Sequence, residues 1–306
     1  MRRGNTGPDR IRWVMRINRL FTLVLAAAFG LFPMLAKAAD KNDVEFARPN
    51  DRALLLDLHV PDGAGPFPAA ILVHGGGFDA GNRRMYIVPT FEVLSNAGFA
   101  WFSIDYRLAP EGNFPENVHD VEAAIRWVRD HAHEYHINKS KIALIGESAG
   151  GYLVDYVGTH ETPQTRVAAV VSFYGPANML LQSELHRDHP EMFDQAAIRR
   201  HPNGGLKAFG VKDLDLAGAS TMRQISPINA VHKGQPPFLL IHGNKDEQVP
   251  YSQSPAFCEA IKNAGAQCDL ITIEGGHHGM GNWKEPSQQH WKSDMVAWLK
   301  KTMKVK

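Results

Sequence analysis

Cysteine is nearly absent: Cys258 and Cys268 are the only two in 306 residues. Neither has a histidine beside it in a nucleophile-like setting, which argues against thiol chemistry. Two readings of the pair stay open, a disulfide favoured by an oxidising compartment and a pair of buried thiols at the end of a helix and the start of the next strand. Long apolar runs are scarce as well, since the longest, Leu20 to Leu35, falls short of the ~20 residues that a membrane-spanning helix needs. The single glycine triplet, Gly75-Gly76-Gly77, lacks the Lys-Ser/Thr ending of a phosphate loop and the spacing of a dinucleotide fingerprint. No internal repeat is visible. His131, His133 and His136 make a poor metal set, because positions 131 and 133 of a helix face different ways and no carboxylate or thiolate completes the ligands.

Charge of one sign is also missing, with 33 Lys and Arg against 32 Asp and Glu. Even that balance is skewed by the N-terminus, where Arg2, Arg3, Arg10, Arg12, Arg16 and Arg19 precede the apolar run and Ala36-Lys37-Ala38 follows it. This is the layout of a signal peptide over residues 1–38, with cleavage expected after Ala38 or Ala39 and Met15 as an alternative start. No cysteine follows to carry a lipid, so the expectation is export to the periplasm or beyond without a stable membrane anchor. Residues 39–306 then form the mature chain. They keep 26 basic and 31 acidic residues, a formal charge of −5, and no basic block, which excludes nucleic acid and anionic lipid as electrostatic partners.

What is present is an ordinary globular composition, 44% hydrophobic and 21% charged, enough to bury a core in one domain. From residue 53 short β-rich runs alternate with helical patterns. The runs 53–60, 69–73, 99–105, 141–145, 167–174, 238–242 and 268–274 read as strands, most of them apolar throughout, as in a parallel sheet covered on both faces. Helices are expected over 118–133, where Asn117 or Asp120 would cap, and over 252–263 and 285–303. This is an α/β architecture with a mostly parallel sheet and helices on both faces. Residues 178–219 break the rhythm and read as an insertion, expected to form a lid, with a decorative helical excursion as the alternative.

Chemistry enters at Gly146-Glu147-Ser148-Ala149-Gly150. An apolar strand runs into it and a helix-compatible segment leaves it, the context in which a sharp strand-to-helix turn lifts a serine hydroxyl clear of the sheet as a nucleophile. The oxyanion formed by attack on a carbonyl needs donors, and His74-Gly75-Gly76-Gly77-Phe78 directly follows another strand. The amides of Gly76, Gly77 and Ala149 are assigned to that oxyanion hole. A base must take the Ser148 proton. Among 15 histidines, His277 and His278 stand in the loop after the last strand, where an imidazole can hang over the nucleophile. Asp246, after the strand 238–242, is placed to orient that base, with Glu247 as its neighbouring alternative.

These motifs, together with Asp105-Tyr106-Arg107-Leu108-Ala109-Pro110 and His242-Gly-x-x-Asp-x-x-Val-Pro, resemble the α/β-hydrolase esterases of the hormone-sensitive-lipase-like and feruloyl-esterase-like (BD-FAE) groups over roughly residues 50 to 303. The resemblance implies an α/β-hydrolase fold with an eight-stranded sheet. It selects His278 over His277 and gives the chain order Ser148, Asp246, His278. It also implies hydrolysis of short-chain carboxylic esters, free or polysaccharide-linked, without cofactor or metal. Two departures from the pattern are the lack of an N-terminal helical cap and Met280 where an aromatic residue is frequent. Tyr106 and Arg107 are expected to brace the oxyanion loop. The tryptophans at 101, 127, 283, 291 and 298 are expected in packing roles, with a place at the pocket as the alternative for Trp283 alone, near His278. Two rivals remain. A prolyl-oligopeptidase-type exopeptidase shares the triad but needs a propeller domain for which this chain has no room. A non-catalytic binding module would be built on the same fold.

Overall fold

The computed structural model describes residues 39–200 and 205–305. The signal-peptide reading falls outside them, as does the stretch 201–204 inside the insertion. Eight strands make one sheet: β1 (Ala39–Ala47), β2 (Leu54–Val60), β3 (Phe67–Val73), β4 (Ala100–Ile104), β5 (Ile137–Glu147), β6 (Ala169–Phe173), β7 (Phe238–Gly243) and β8 (Cys268–Ile273). Their spatial order is β1-β2-β4-β3-β5-β6-β7-β8. β1 and β2 are antiparallel to their neighbours and the remaining pairings are parallel.

The parallel strands are apolar on both sides because both sides are covered. On β3, Ala69, Ile71 and Val73 enter one core and Ala70 and Leu72 the other. The first core is closed by helices α2 (Glu116–Asp130), α3 (Ala149–Thr159) and α7 (Gln253–Asn263). The second is closed by α1 (Pro89–Asn96) and α8 (Trp291–Met303), through Leu94, Trp291, Met295 and Leu299. Two elements differ from expectation because their surroundings override their sequence. β1 reads Ala-Asp-Lys-Asn-Asp-Val-Glu-Phe-Ala and buries only Phe46, as an edge strand with one wet face does. α2 takes no side-chain cap: it begins behind Pro115, and Asn117 and Asp120 are buried within it. Asp120 instead receives the Arg107 guanidinium at 2.8 Å.

The insertion 178–219 holds α4 (Met179–Asp188), α5 (Gln195–Arg200) and the first turn of α6 (Leu216–Gln224). Asn178 accepts from Leu181 N at 3.0 Å and caps α4. Cys258 of α7 and Cys268 of β8 are joined in a disulfide.

Candidate active site

In an open α/β sheet the loops beyond the carboxyl ends of the parallel strands converge on one crevice. Here β3 delivers His74 to Phe78, β5 delivers Ser148, β7 delivers Asp246 and β8 delivers His278. The turn at Ser148 is as tight as its motif demands. A Cβ on Gly146 would sit 2.2 Å from Gly150 O, and one on Gly150 would sit 2.2 Å from Val73 O. Ser148 itself holds φ 54 and ψ −119, a conformation costing about 1–3 kcal/mol that persists only where surrounding structure imposes it.

Ser148 Oγ lies 3.0 Å from His278 Nε2, and His278 Nδ1 lies 2.7 Å from Asp246 Oδ2. A carboxylate only accepts, so Nδ1 carries the hydrogen and Nε2 is left to accept from the serine hydroxyl. Burial works to raise the Asp246 pKa, but the charge of His278 and the hydrogen bonds from His242 and His278 hold it well below the usual carboxylate range. Burial disfavours the His278 imidazolium, yet the Asp246 charge and hydrogen bond outweigh it and raise the pKa above 6.5.

Asp246 is anchored more fully than its spacing implied. Its Oδ1 accepts from Gln248 N and Val249 N, each at 2.8 Å. Its Oδ2 also faces His242 Nε2 at 3.2 Å, and His242 is in turn bonded to Ser254 Oγ at 2.8 Å. His242, wholly buried at the end of β7, is a partner that sequence reasoning missed. Its four-residue spacing from Asp246 was the available signal.

Glu147 was missed too. It is buried beneath the elbow, accepts from Gly75 N at 2.5 Å and shares a hydrogen bond with Tyr174. Burial pushes its carboxyl pKa upward. Tyr174 Oη accepts from Met280 N at 2.9 Å, so one buried chain braces both the glycine turn and the histidine loop.

A cavity of about 260 Å³ opens over Ser148 and is lined by Gly76, Gly77, Ala149 and His278. The amide of Ala149 begins α3, where the first N–H groups have no helical acceptor. Met179, Gln182, His186, Ala197 and Arg200 form the wall that the insertion contributes. Tyr106 braces the glycine turn, its Oη donating to His74 O at 3.1 Å and the two rings stacking at 4.4 Å, whereas the Arg107 side chain bonds Asp120 and Glu116 O of α2 instead. Burial lowers the His74 pKa to about 4, so this imidazole stays neutral.

Trp283 is not at the cavity. It is buried behind the loop against Tyr174 and Trp291 and donates Nε1–H to His277 O at 2.7 Å. His277 points outward, mostly exposed, to Glu247 at 3.0 Å. His277→Ala is therefore expected to change kcat/KM on a simple ester less than about threefold, because it removes an exposed pair worth little. Steady-state kinetics beside His278→Ala checks this, and a comparable loss in both variants contradicts the register. Among the described residues no group of His, Cys, Asp and Glu is placed to hold a metal, and no helix is long and apolar enough to cross a membrane.

Esterase LipC of Mycobacterium tuberculosis is 31% identical over 231 residues, which cover 70% of this chain and 53% of LipC. An acetylxylan esterase of Xylanibacter ruminicola is 30% identical, covering 76% of this chain and 45% of its own. The chain thus spans about half the length of the curated relatives it matches. Among solved structures, a truncated form of a carbohydrate esterase from gut microbiota superposes with a TM-score of 0.67 at 25% identity, covering 89% of this chain and 98% of that one. The bifunctional GH43-CE protein of Bacteroides eggerthii gives a TM-score of 0.70 at 26% identity, covering 86% of this chain and 38% of its own. The BD-FAE family model matches residues 56–261, well over half of the sequence, from within β2 to within α7 of the α/β-hydrolase fold just described, leaving out β1, β8 and α8. The chain belongs to the BD-FAE family.

Proposed function

We propose that the protein is an exported serine carboxylesterase that hydrolyses short-chain esters, small or polysaccharide-linked, through an acyl-enzyme on Ser148. The observation that carries this reading is the unbroken run from Ser148 Oγ to His278 to Asp246, 3.0 and 2.7 Å long, on a strained turn. His278 Nε2 takes the serine proton as Oγ attacks the ester carbonyl. The amides of Gly76, Gly77 and Ala149 receive the oxyanion, and the proton passes from His278 to the departing alcohol. Water then repeats the cycle and frees the acid. The esterase names of the relatives support the reaction, and the acetylxylan and carbohydrate esterases among them support a polysaccharide-linked ester. The modest cavity favours short acyl groups.

A fluorophosphonate probe is expected to label the folded protein on the peptide that carries Ser148. A folded protein that resists the probe is a binding module instead.

The base must be neutral to act. Since the His278 pKa is raised, kcat/KM is expected to fall on the acid side with a midpoint above 6.5, losing activity as protonation fills Nε2. A pH–rate profile with its midpoint below 6.5 contradicts the assignment. Export predicts that mature protein recovered outside the cytoplasm begins at Ala39 or Asp40, which N-terminal sequencing reads directly.

A further inference from the structure

The reaction uses nothing of a charged cluster built into the next loop. Between the glycine turn and α1, residues 79–88 fold back on the site, with Asp79 N and Ala80 N donating to Gly76 O at 3.3 and 3.0 Å. Arg83 follows, its side chain buried among three carboxylates from three strand regions. Nε meets Asp57 of β2 at 2.9 Å, Nη1 meets Asp105 after β4 at 2.5 Å, and Nη2 meets Asp43 of β1. Its main chain is fixed as well, because Arg83 N donates to Asp105 Oδ1 at 2.9 Å and Arg83 O accepts from Ser103 Oγ at 2.6 Å. Arg84 adds bonds to Asp57 at 2.5 Å and to Asp43 at 2.8 Å.

Two residues further on, Tyr86 lines the cavity and yet is 45% exposed. It holds φ 60, a left-handed conformation that costs a bulky residue free energy and marks a position imposed by its neighbours. Those neighbours are the Arg83 cluster on one side and fully buried Ile87 on the other. Met85 and Val88 are also more than 40% exposed, while Tyr86 itself gives the cavity an aromatic lip beside the polar groups of Gln248, Asn282 and Arg200. A cavity of about 260 Å³ lies below the range of roughly 300–1,000 Å³ that encloses a whole drug-sized ligand. A larger ester extends over that lip.

We propose that Tyr86 is the specificity-determining residue for the part of the ester outside the cavity, a ring with a flat apolar face, and that Arg83 positions it. The ring is supplied either by a pyranose or by an aryl group, and both offer that face to a phenol side chain flanked by hydrogen-bonding amides. This inference rests on the esterase reading of the Ser148 site.

The test uses the mature protein and three acetate esters, namely ethyl acetate, phenyl acetate and an acetylated xylopyranoside. In Tyr86→Ala, the KM for a ring-bearing ester divided by the KM for ethyl acetate is expected to rise about tenfold, and in Tyr86→Phe to stay near its original value. The arm that moves, sugar or aryl, names the source of the ring. Arg83→Gln is expected to shift the same ratio in the same direction, with no further shift in Arg83→Gln/Tyr86→Ala. A purely structural arginine lowers Tm and leaves that ratio alone. Should Arg83→Gln fail to fold, the surface change Tyr86→Ala still decides. If the KM values move together in Tyr86→Ala, or neither moves, the inference is overturned while the esterase stands. If the unmodified protein hydrolyses none of the three esters and resists the fluorophosphonate probe, the reading of the site falls first.

Discussion

Ser148→Ala is expected to lower kcat for p-nitrophenyl acetate by roughly a million-fold with the protein still folded. The size follows from what the substitution leaves behind. Alanine removes one oxygen from a turn whose shape is dictated by Gly146, Gly150 and the packing of α3, so the cavity, the glycine turn and the Ala149 amide persist. What disappears is the group proposed to form the covalent bond, and His278 then has no serine proton to take. Binding and oxyanion stabilisation without a nucleophile leave a residual acceleration over water of about 10³–10⁴-fold. KM should accordingly change far less than kcat. A variant that keeps more than a trace of turnover, measured on protein free of contaminating esterase, removes Ser148 from the mechanism.

Asp246→Asn carries the next largest effect, an expected loss in kcat of about 10⁴-fold. Asp246 Oδ1 is committed to Gln248 N and Val249 N, and Oδ2 to His278 and His242. An asparagine keeps its carbonyl oxygen on the two main-chain donors, which turns its NH₂ toward the imidazoles. Two donors then face each other at His278 Nδ1 unless the ring changes tautomer. The changed tautomer places a hydrogen on Nε2, pointing at Ser148, where a lone pair is required. The charge that raises the His278 pKa is also lost, so the acid limb of the pH–rate profile should move to lower pH while the plateau collapses. An Asp246→Asn variant with near-normal kcat would place the orienting acid elsewhere, with Glu247 the first to test.

The sequence made the central sheet readable because its strands are buried on both faces. Continuous apolar runs such as Ala69 to Val73 have few other uses in a chain this polar. The same logic hid β1, whose alternation is erased by Asp40, Lys41, Asn42 and Asp43 on a wet edge, and hid α1, an eight-residue helix entered through Pro89. In the site, the glycines, Ser148, Asp246 and the pair His277-His278 stood in motifs, and spacing alone sufficed to nominate them. The choice between the two histidines rested on resemblance, and the geometry now separates them: one ring reaches Ser148 and the other reaches the exposed Glu247. His242 had only its four-residue spacing from Asp246 to mark it, whereas Glu147 and Tyr174 were illegible for a physical reason. Each acts through a partner far along the chain or on another strand, and a buried polar side chain in an apolar run gives no sign of which distant group satisfies it. Trp283 takes the packing role expected of it and not the alternative at the pocket, because proximity in sequence to His278 says nothing about which side of a loop a ring packs on.

Ser148 and His278 are 130 residues apart in sequence, with Asp246 on a loop between them. A contact of such long separation forms only after most of the chain has closed upon itself, which makes it a late event in folding. The hydroxyl, the imidazole and the carboxylate therefore meet only when β3, β5, β7 and β8 are in register together. Regained turnover on dilution from denaturant should rise in step with the slowest tertiary signal, and a chain truncated before β8 should yield no partial activity at all.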